Sequence, residues 1–212
     1  IISQERITDE FLKILKTAKP SVGLRLMFDT GVLQIVFPEV AHMAGVDQRK
    51  DHHHKDVFLH TCIVVDNIAE TTDNLWLRFT ALMHDIAKPR TKAFKEGIGW
   101  TFHGHEELGA RMMKSIFRRL KLPLDPLPYV EKLVRLHLRP MVLVDEIVTD
   151  SAVRRLVFEA GNDIDDLMML CRADITSKNP KLVERYLRNY DIVMQKIVEV
   201  EARDRLRKVK PR

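Results

Sequence analysis

Apolar residues recur along most of this chain at spacings of three and four, the period of a helix with one buried face. Ile7, Phe11, Ile14, Leu15 and Ala18 form a first stripe. Pro20-Ser21 suits the opening turn of a second helix, and Gly31 stands where a left-handed residue closes one. A short apolar run over 32–37 stops at Pro38. Residues 41–55 mix charge, Gly45 and the run His52-His53-His54, and read as an exposed loop. The spacing predicts longer helices over 56–70, with Val57, Thr61, Val64, Val65 and Ile68 inward, and over 74–87, ended by Pro89. Residues 89–104, with Gly97, Gly99 and Gly104, read as irregular. Helical patterns resume over 105–121, 127–138, 151–160, 163–175 and 180–208, with Ser151 as an N-cap and Gly161 as a closing glycine. The expected fold is all-α: a small helical piece over 1–50, then a larger helical bundle over 51–212.

Composition narrows the classes. The 212 residues are 45% hydrophobic and 31% charged, which suits a helical globular chain. Cys62 and Cys171 both lie in apolar stretches and make no disulfide framework, so a reducing, cytoplasmic setting is expected. No stretch approaches the roughly 20 apolar residues of a membrane span, and the N-terminus has no signal-peptide pattern. It has no initiator Met either, so the chain is expected to come from something longer. The net charge of +5, concentrated in the segment 203–212, leans toward anionic partners without specifying one.

The chemistry concentrates at His84-Asp85. This polar pair interrupts the apolar run Phe79-Thr80-Ala81-Leu82-Met83, and a buried ionisable pair is costly unless a partner or a metal satisfies it. Successive helical side chains diverge by about 100°, so a second element must supply further ligands. His60 lies in the preceding helix, His105 and His137 downstream, and Asp174 ends a later apolar run. Imidazole and carboxylate together suit a divalent cation such as nickel, manganese, cobalt, iron or magnesium, with open positions for water and substrate oxygen. The bland alternatives are a satisfied structural histidine at His84 and a simple helix-starting residue at His105.

These residues carry a resemblance. His60, His84-Asp85 and Asp174 resemble the H…HD…D signature of the HD-domain superfamily of metal-dependent phosphohydrolases. The segments DVFLHT, LMHDIAKPRTK, FHGHEELGA, LHLRPM and RADITSKNP are similar, in order, to the HD domain of bacterial tRNA nucleotidyltransferases, the CCA-adding and poly(A) polymerase family. ISQERITDEFLKIL, KPSVGLRLMFDTGVL and VFPEV resemble that family's helical neck and RNA-binding region, and VEVEARDRLRKVKPR resembles the helix leading out of its HD domain.

The resemblance implies that His60, His84, Asp85 and Asp174 ligate the metal. It matches His105 and His137 to histidines that contact phosphate or hold a second ion. In a two-metal site, with ions roughly 3.5–4 Å apart, Asp85 would bridge them. Lys88 matches the lysine that follows the HD pair, and Lys88, Arg90 and Arg139 are candidate phosphate-binding residues. The implied activity is phosphatase or 2′,3′-cyclic phosphodiesterase action on nucleotides or RNA ends, with tRNA and the family's nucleotidyltransferase head as partners. The head's Gly-Ser turn and paired aspartates, and the neck's Glu-Asp-x-x-Arg element, do not occur in the chain. The segment alone is therefore expected not to add nucleotides. The competing expectation is a non-catalytic tRNA-binding or scaffolding module with a vestigial metal site.

Overall fold

The computed structural model describes residues 2–47, 56–145 and 149–209. The chain forms two compact units, residues 1–135 and 136–212. The expected histidine loop 52–54 and the last three basic-tail residues lie outside the described residues.

The first unit opens with α1 (Gln4–Lys16), α2 (Pro20–Asp29), α3 (Val32–Val36) and α4 (Pro38–Ala41). Ser3 caps α1 by accepting from the Arg6 N–H. Phe11 and Leu15 of the predicted stripe are buried, while Ala18 is exposed beyond the helix end. Gly31 takes the left-handed conformation (φ 77°) directly after α2, as its position predicted. At Gly23 a Cβ would lie 2.6 Å from an Ile14 methyl, so a side chain there would force α1 and α2 apart.

Next come α5 (Val57–Thr71), α6 (Leu75–Met83), the single turn α7 (Lys88–Thr91), α8 (His105–Arg119) and α9 (Leu127–Leu136). Asp56 caps α5 through the Leu59 N–H, and Asn74 caps α6 through Trp76 and Leu77. The predicted inward set of α5, Val57, Thr61, Val64, Val65 and Ile68, is buried throughout. Asp66 ties α2 to α5 by accepting from both the backbone N–H and the hydroxyl of Ser21, at 2.9 and 2.6 Å. Trp76, Phe79 and Phe117 form an aromatic cluster between α6 and α8.

Arg78 is buried inside this unit. Its guanidinium donates to the carbonyls of Leu15, Thr17, Ala69 and Thr72 and to Asp73 Oδ1, at 2.9–3.2 Å. Those carbonyls lie at the ends of α1 and α5, where the helical ladder leaves acceptors without partners. One side chain therefore joins three helices.

The glycine-bearing stretch after α7 is not irregular. It holds a two-stranded antiparallel hairpin, β1 (Ala93–Lys95) with β2 (Gly99–Thr101), pairing Phe94 opposite Trp100. Strands of three residues are too short for a period-two pattern to register.

The second unit contains α10 (Arg139–Asp145), α11 (Asp150–Ala160), a 3₁₀ turn (Gly161–Asp163), α12 (Ile164–Ala173) and α13 (Pro180–Val209). Thr149, not Ser151, caps α11: its hydroxyl accepts from the Ala152 N–H, because the helix begins one residue earlier than the apolar pattern. Tyr190, Val193, Ile197 and Val200 make a buried stripe on α13 at spacings of three and four. Arg154 of α11 makes a bidentate pair with Asp204 of α13, at 2.8 and 2.9 Å, and Arg203 pairs with Asp150 at 2.9 Å. Part of the basic tail is thus engaged within its own unit. The fold is all-α apart from the hairpin, and among the described residues no helix is long and apolar enough to cross a membrane.

Candidate metal centre

The centre is assembled where α6 ends. Residues 77–83 are buried without a break, so the helix delivers His84 and Asp85 to the interior at its last turn, each 1% exposed. Pro89 has no backbone N–H to continue the helical ladder onto the Asp85 carbonyl, and a short turn over 84–87 replaces the expected continuous helix. In that turn the Lys88 N–H bonds to the Asp85 carbonyl, and Lys88 Nζ lies 2.7 Å from Asp85 Oδ2.

Two other elements bring histidines to the same carboxylate. His60, on α5, places Nε2 3.7 Å from Asp85 Oδ2, with its ring 5.6 Å from that of His84. His105, the first residue of α8, places Nε2 3.2 Å from Asp85 Oδ1. Gly104 before it is left-handed (φ 78°), a conformation that redirects the chain at little cost only for glycine. Close packing brings α8 into range: a Cβ at Gly109 would lie 3.2 Å from Val134 and 3.5 Å from Ile86.

The ring orientations bear on what this cluster can hold. His84 Nδ1 lies 2.7 Å from the Ala81 carbonyl, and His105 Nδ1 lies 2.7 Å from the Phe102 carbonyl. In a neutral ring each Nδ1 therefore carries the proton, and Nε2 is left as an acceptor. Both Nε2 atoms face Asp85 oxygens at 3.2 Å. Two acceptors at that distance repel, and a proton on the ring or a cation between the atoms removes the repulsion. Backbone carbonyls that fix the tautomer this way are the usual support of metal-ligating histidines. Burial by itself would raise the Asp85 pKa. With a proton on the facing ring nitrogens, the charge of His84, the Lys88 ammonium and the hydrogen bonds of His105 and His84 outweigh it and hold the carboxyl well below the usual range. Asp85 is therefore ionised, the state a ligand needs. Imidazole nitrogens and an ionised carboxylate are the donor types that a divalent cation takes.

Of the residues singled out from the sequence, the first unit brings together His60, His84, Asp85, Lys88 and His105. Arg90 is exposed on α7. His137 and Asp174 belong to the second unit. His137 lies just after α9, its carbonyl accepting from Cys171 Sγ at 3.2 Å, and Asp174 is the C-cap of α12. Arg139 borders a cavity of about 200 Å³ in that unit, with Arg155, Ser151 and Glu159. The orienting carbonyls of Ala81 and Phe102 escape sequence reading, since a carbonyl has no residue signature; the three-residue offset before each histidine is the only trace.

The sequence comparisons agree with this geometry. The family described as "HD domain" matches residues 52–178. The chain belongs to the HD-domain family. A second family, described as "Probable RNA and SrmB- binding site of polymerase A", matches residues 1–43 ahead of the HD domain. The chain is 30% identical over 198 residues to the A-adding tRNA nucleotidyltransferase of Deinococcus radiodurans, covering 92% of this chain and 44% of the relative. It is 32% identical over 180 residues to the Multifunctional CCA protein of Methylococcus capsulatus, covering 80% and 40%. To the CC-adding tRNA nucleotidyltransferase of Thermus thermophilus it is 30% identical over 182 residues, covering 81% and 39%. The chain thus spans about two fifths of the length of these relatives.

Proposed function

We propose that this HD domain is a divalent-metal-dependent phosphohydrolase, a phosphatase or 2′,3′-cyclic phosphodiesterase, acting on nucleotides or RNA ends. The observation that carries the reading is the buried Asp85 with the Nε2 atoms of His84 and His105 each 3.2 Å from its oxygens, both rings being oriented by backbone carbonyls at Nδ1. His60, His84 and Asp85 would hold the cation. Asp174 joins them on the H…HD…D sequence pattern. Nickel, manganese, cobalt, iron and magnesium are all compatible with such a donor set. Bound there, the cation lowers the pKa of a water and neutralises phosphoryl charge.

The chain's own residues do the rest. Asp85, held ionised, orients the attacking water. Lys88 offers its ammonium to a phosphoryl oxygen, with Arg90 and Arg139 as further phosphate-binding candidates. His105, and His137 on the sequence pattern, position the phosphate, and His105 Nε2 takes a proton from the attacking water and passes it to the leaving oxygen. The relatives are named for adding nucleotides to tRNA, so tRNA is the proposed macromolecular substrate, a nucleotidyltransferase head the proposed partner and the cytoplasm the proposed location. Region 1–50 would serve as the neck and 51–212 as the catalytic HD part.

The test is turnover of a 2′,3′-cyclic nucleotide and a generic phosphomonoester by the chain loaded in turn with each of the five metals. At least one metal is expected to support hydrolysis, and His84→Ala and Asp174→Ala are expected to lose metal by elemental analysis. No turnover with any metal, with unchanged metal content in His84→Ala, ends the reading.

A second reading is favoured by the match of residues 1–43 to a probable RNA-binding site: a tRNA-binding or scaffolding module whose metal centre is vestigial. It requires tRNA affinity that falls steeply with salt as counterions are released. A slope near zero removes it.

A further inference from the structure

The hairpin between α7 and α8 carries chemistry that the metal centre does not use. Phe94 and Trp100 pair directly across the two strands, with ring centroids 5.3 Å apart in an edge-to-face arrangement. Phe94 is 56% exposed and Trp100 41%. Lys92 Nζ lies 4.4 Å from the Trp100 ring. From Lys88 to Thr101 the sequence has four cations, Lys88, Arg90, Lys92 and Lys95, and one acid, Glu96. Cross-strand aromatic pairs do stabilise small hairpins. That role alone does not account for a ring more than half open to solvent inside a cationic segment.

The position in the chain gives the hairpin its meaning. It is inserted between two residues that reach Asp85: Lys88 before it and His105 after it. Phe102, next to β2, lies under Lys88 Nζ at 5.6 Å and orients His105 through its carbonyl. At no more than about 3.6 Å per residue, the backbone of Phe94 lies within roughly 22 Å of that of Lys88, and the backbone of Trp100 within roughly 18 Å of that of His105. A nucleic-acid strand ending at the metal centre has the hairpin within a few nucleotides' reach.

We propose that the hairpin is a stacking platform for an unpaired base of single-stranded RNA, and so selects the end of an RNA strand for the HD site. The base stacks on the open face of Phe94 with Trp100 as its wall, while Lys92 and Lys95 meet the backbone phosphates. Aromatic stacking combined with a cationic track is the general means of holding a single strand without reading its sequence. The proposal rests on the phosphohydrolase reading for its purpose, but its test needs neither metal nor turnover.

The chain has two tryptophans, so Trp76→Phe leaves Trp100 as the only indole fluorophore. A uridine heptamer is titrated into that protein at low salt without divalent metal. A saturable quench of Trp100 fluorescence is expected. Phe94→Ala and Phe94→Leu should each weaken it roughly tenfold or more, the order of one lost base–aromatic stack. The leucine variant keeps an apolar cross-strand contact, so an equal loss in both separates stacking from hairpin stability. No quench, an equal quench by duplex RNA of the same length, or full affinity in Phe94→Leu overturns the platform. Failed hydrolysis with an intact quench would sink the enzyme reading and leave the platform standing.

Discussion

Lys88 holds the oxygen for which a divalent cation would have to compete. Lys88 Nζ lies 2.7 Å from Asp85 Oδ2, the oxygen that His60 and His84 also face. A charge pair in this setting is worth a few kcal/mol, so the ammonium must give way before a cation can take that oxygen. Removing it should help metal and hurt substrate. Lys88→Met is expected to bind manganese or nickel about tenfold more tightly or better, by calorimetric titration. Its KM for a phosphomonoester should rise by about tenfold, the cost of a hydrogen bond to a charged group. Unchanged metal affinity would mean that Lys88 does not screen Asp85. At this scale the sequence was partly legible. His84-Asp85 stands out because a polar pair breaks an apolar run. The ring orientations do not, because the carbonyls of Ala81 and Phe102 that set them are the same atoms in every residue.

Arg78 shows how an element's role can hide in a pattern. Within Leu75-Trp76-Leu77-Arg78-Phe79 it reads as the polar position of an amphipathic helix, yet it is 3% exposed and donates to five acceptors. The Leu15 and Thr17 carbonyls, 63 and 61 residues away, become neighbours only after α1 has packed against α6, so no local window contains the whole signal. Arg78→Met would leave the helix-end carbonyls of α1 and α5 without their buried donor, at an expected cost of about 3 kcal/mol or more. Arg78→Lys should recover little of it, since one ammonium cannot span five acceptors that a planar fork reaches. Urea unfolding of the full chain measures both, and a loss under 1 kcal/mol in Arg78→Met would show that water replaces the guanidinium. The long helices were legible because period and caps agree, as at Asp56 and Asn74. The hairpin was not, since its stability comes from Phe94 meeting Trp100 across the turn rather than from any run along a strand.

Each compact unit also buries acids that the fold requires to stay neutral. In the first, burial raises the Cys62 thiol to about 12, with Asp66 adding to the effect. In the second, burial pushes the Cys171 thiol and the Tyr190 phenol well above their ordinary values. In the unfolded chain a thiol releases its proton near 8.5 and a tyrosine near 10. Above those values the unfolded chain binds fewer protons than the folded one, so stability falls as pH rises. For Cys62 the loss begins near pH 8.5–9 and ends as pH passes about 12, where the folded thiol ionises too. One proton corresponds to about 1.4 kcal/mol per pH unit. Urea midpoints between pH 7 and 10.5 should therefore be flat at first and then decline. Cys62→Ala should start from lower stability, having lost packing on α5, but fall less steeply by about one proton's slope. In the same window native protein should resist a thiol reagent that labels both cysteines in urea. Parallel declines in the two proteins, or rapid labelling of native chain at pH 8, would show that Cys62 ionises without unfolding.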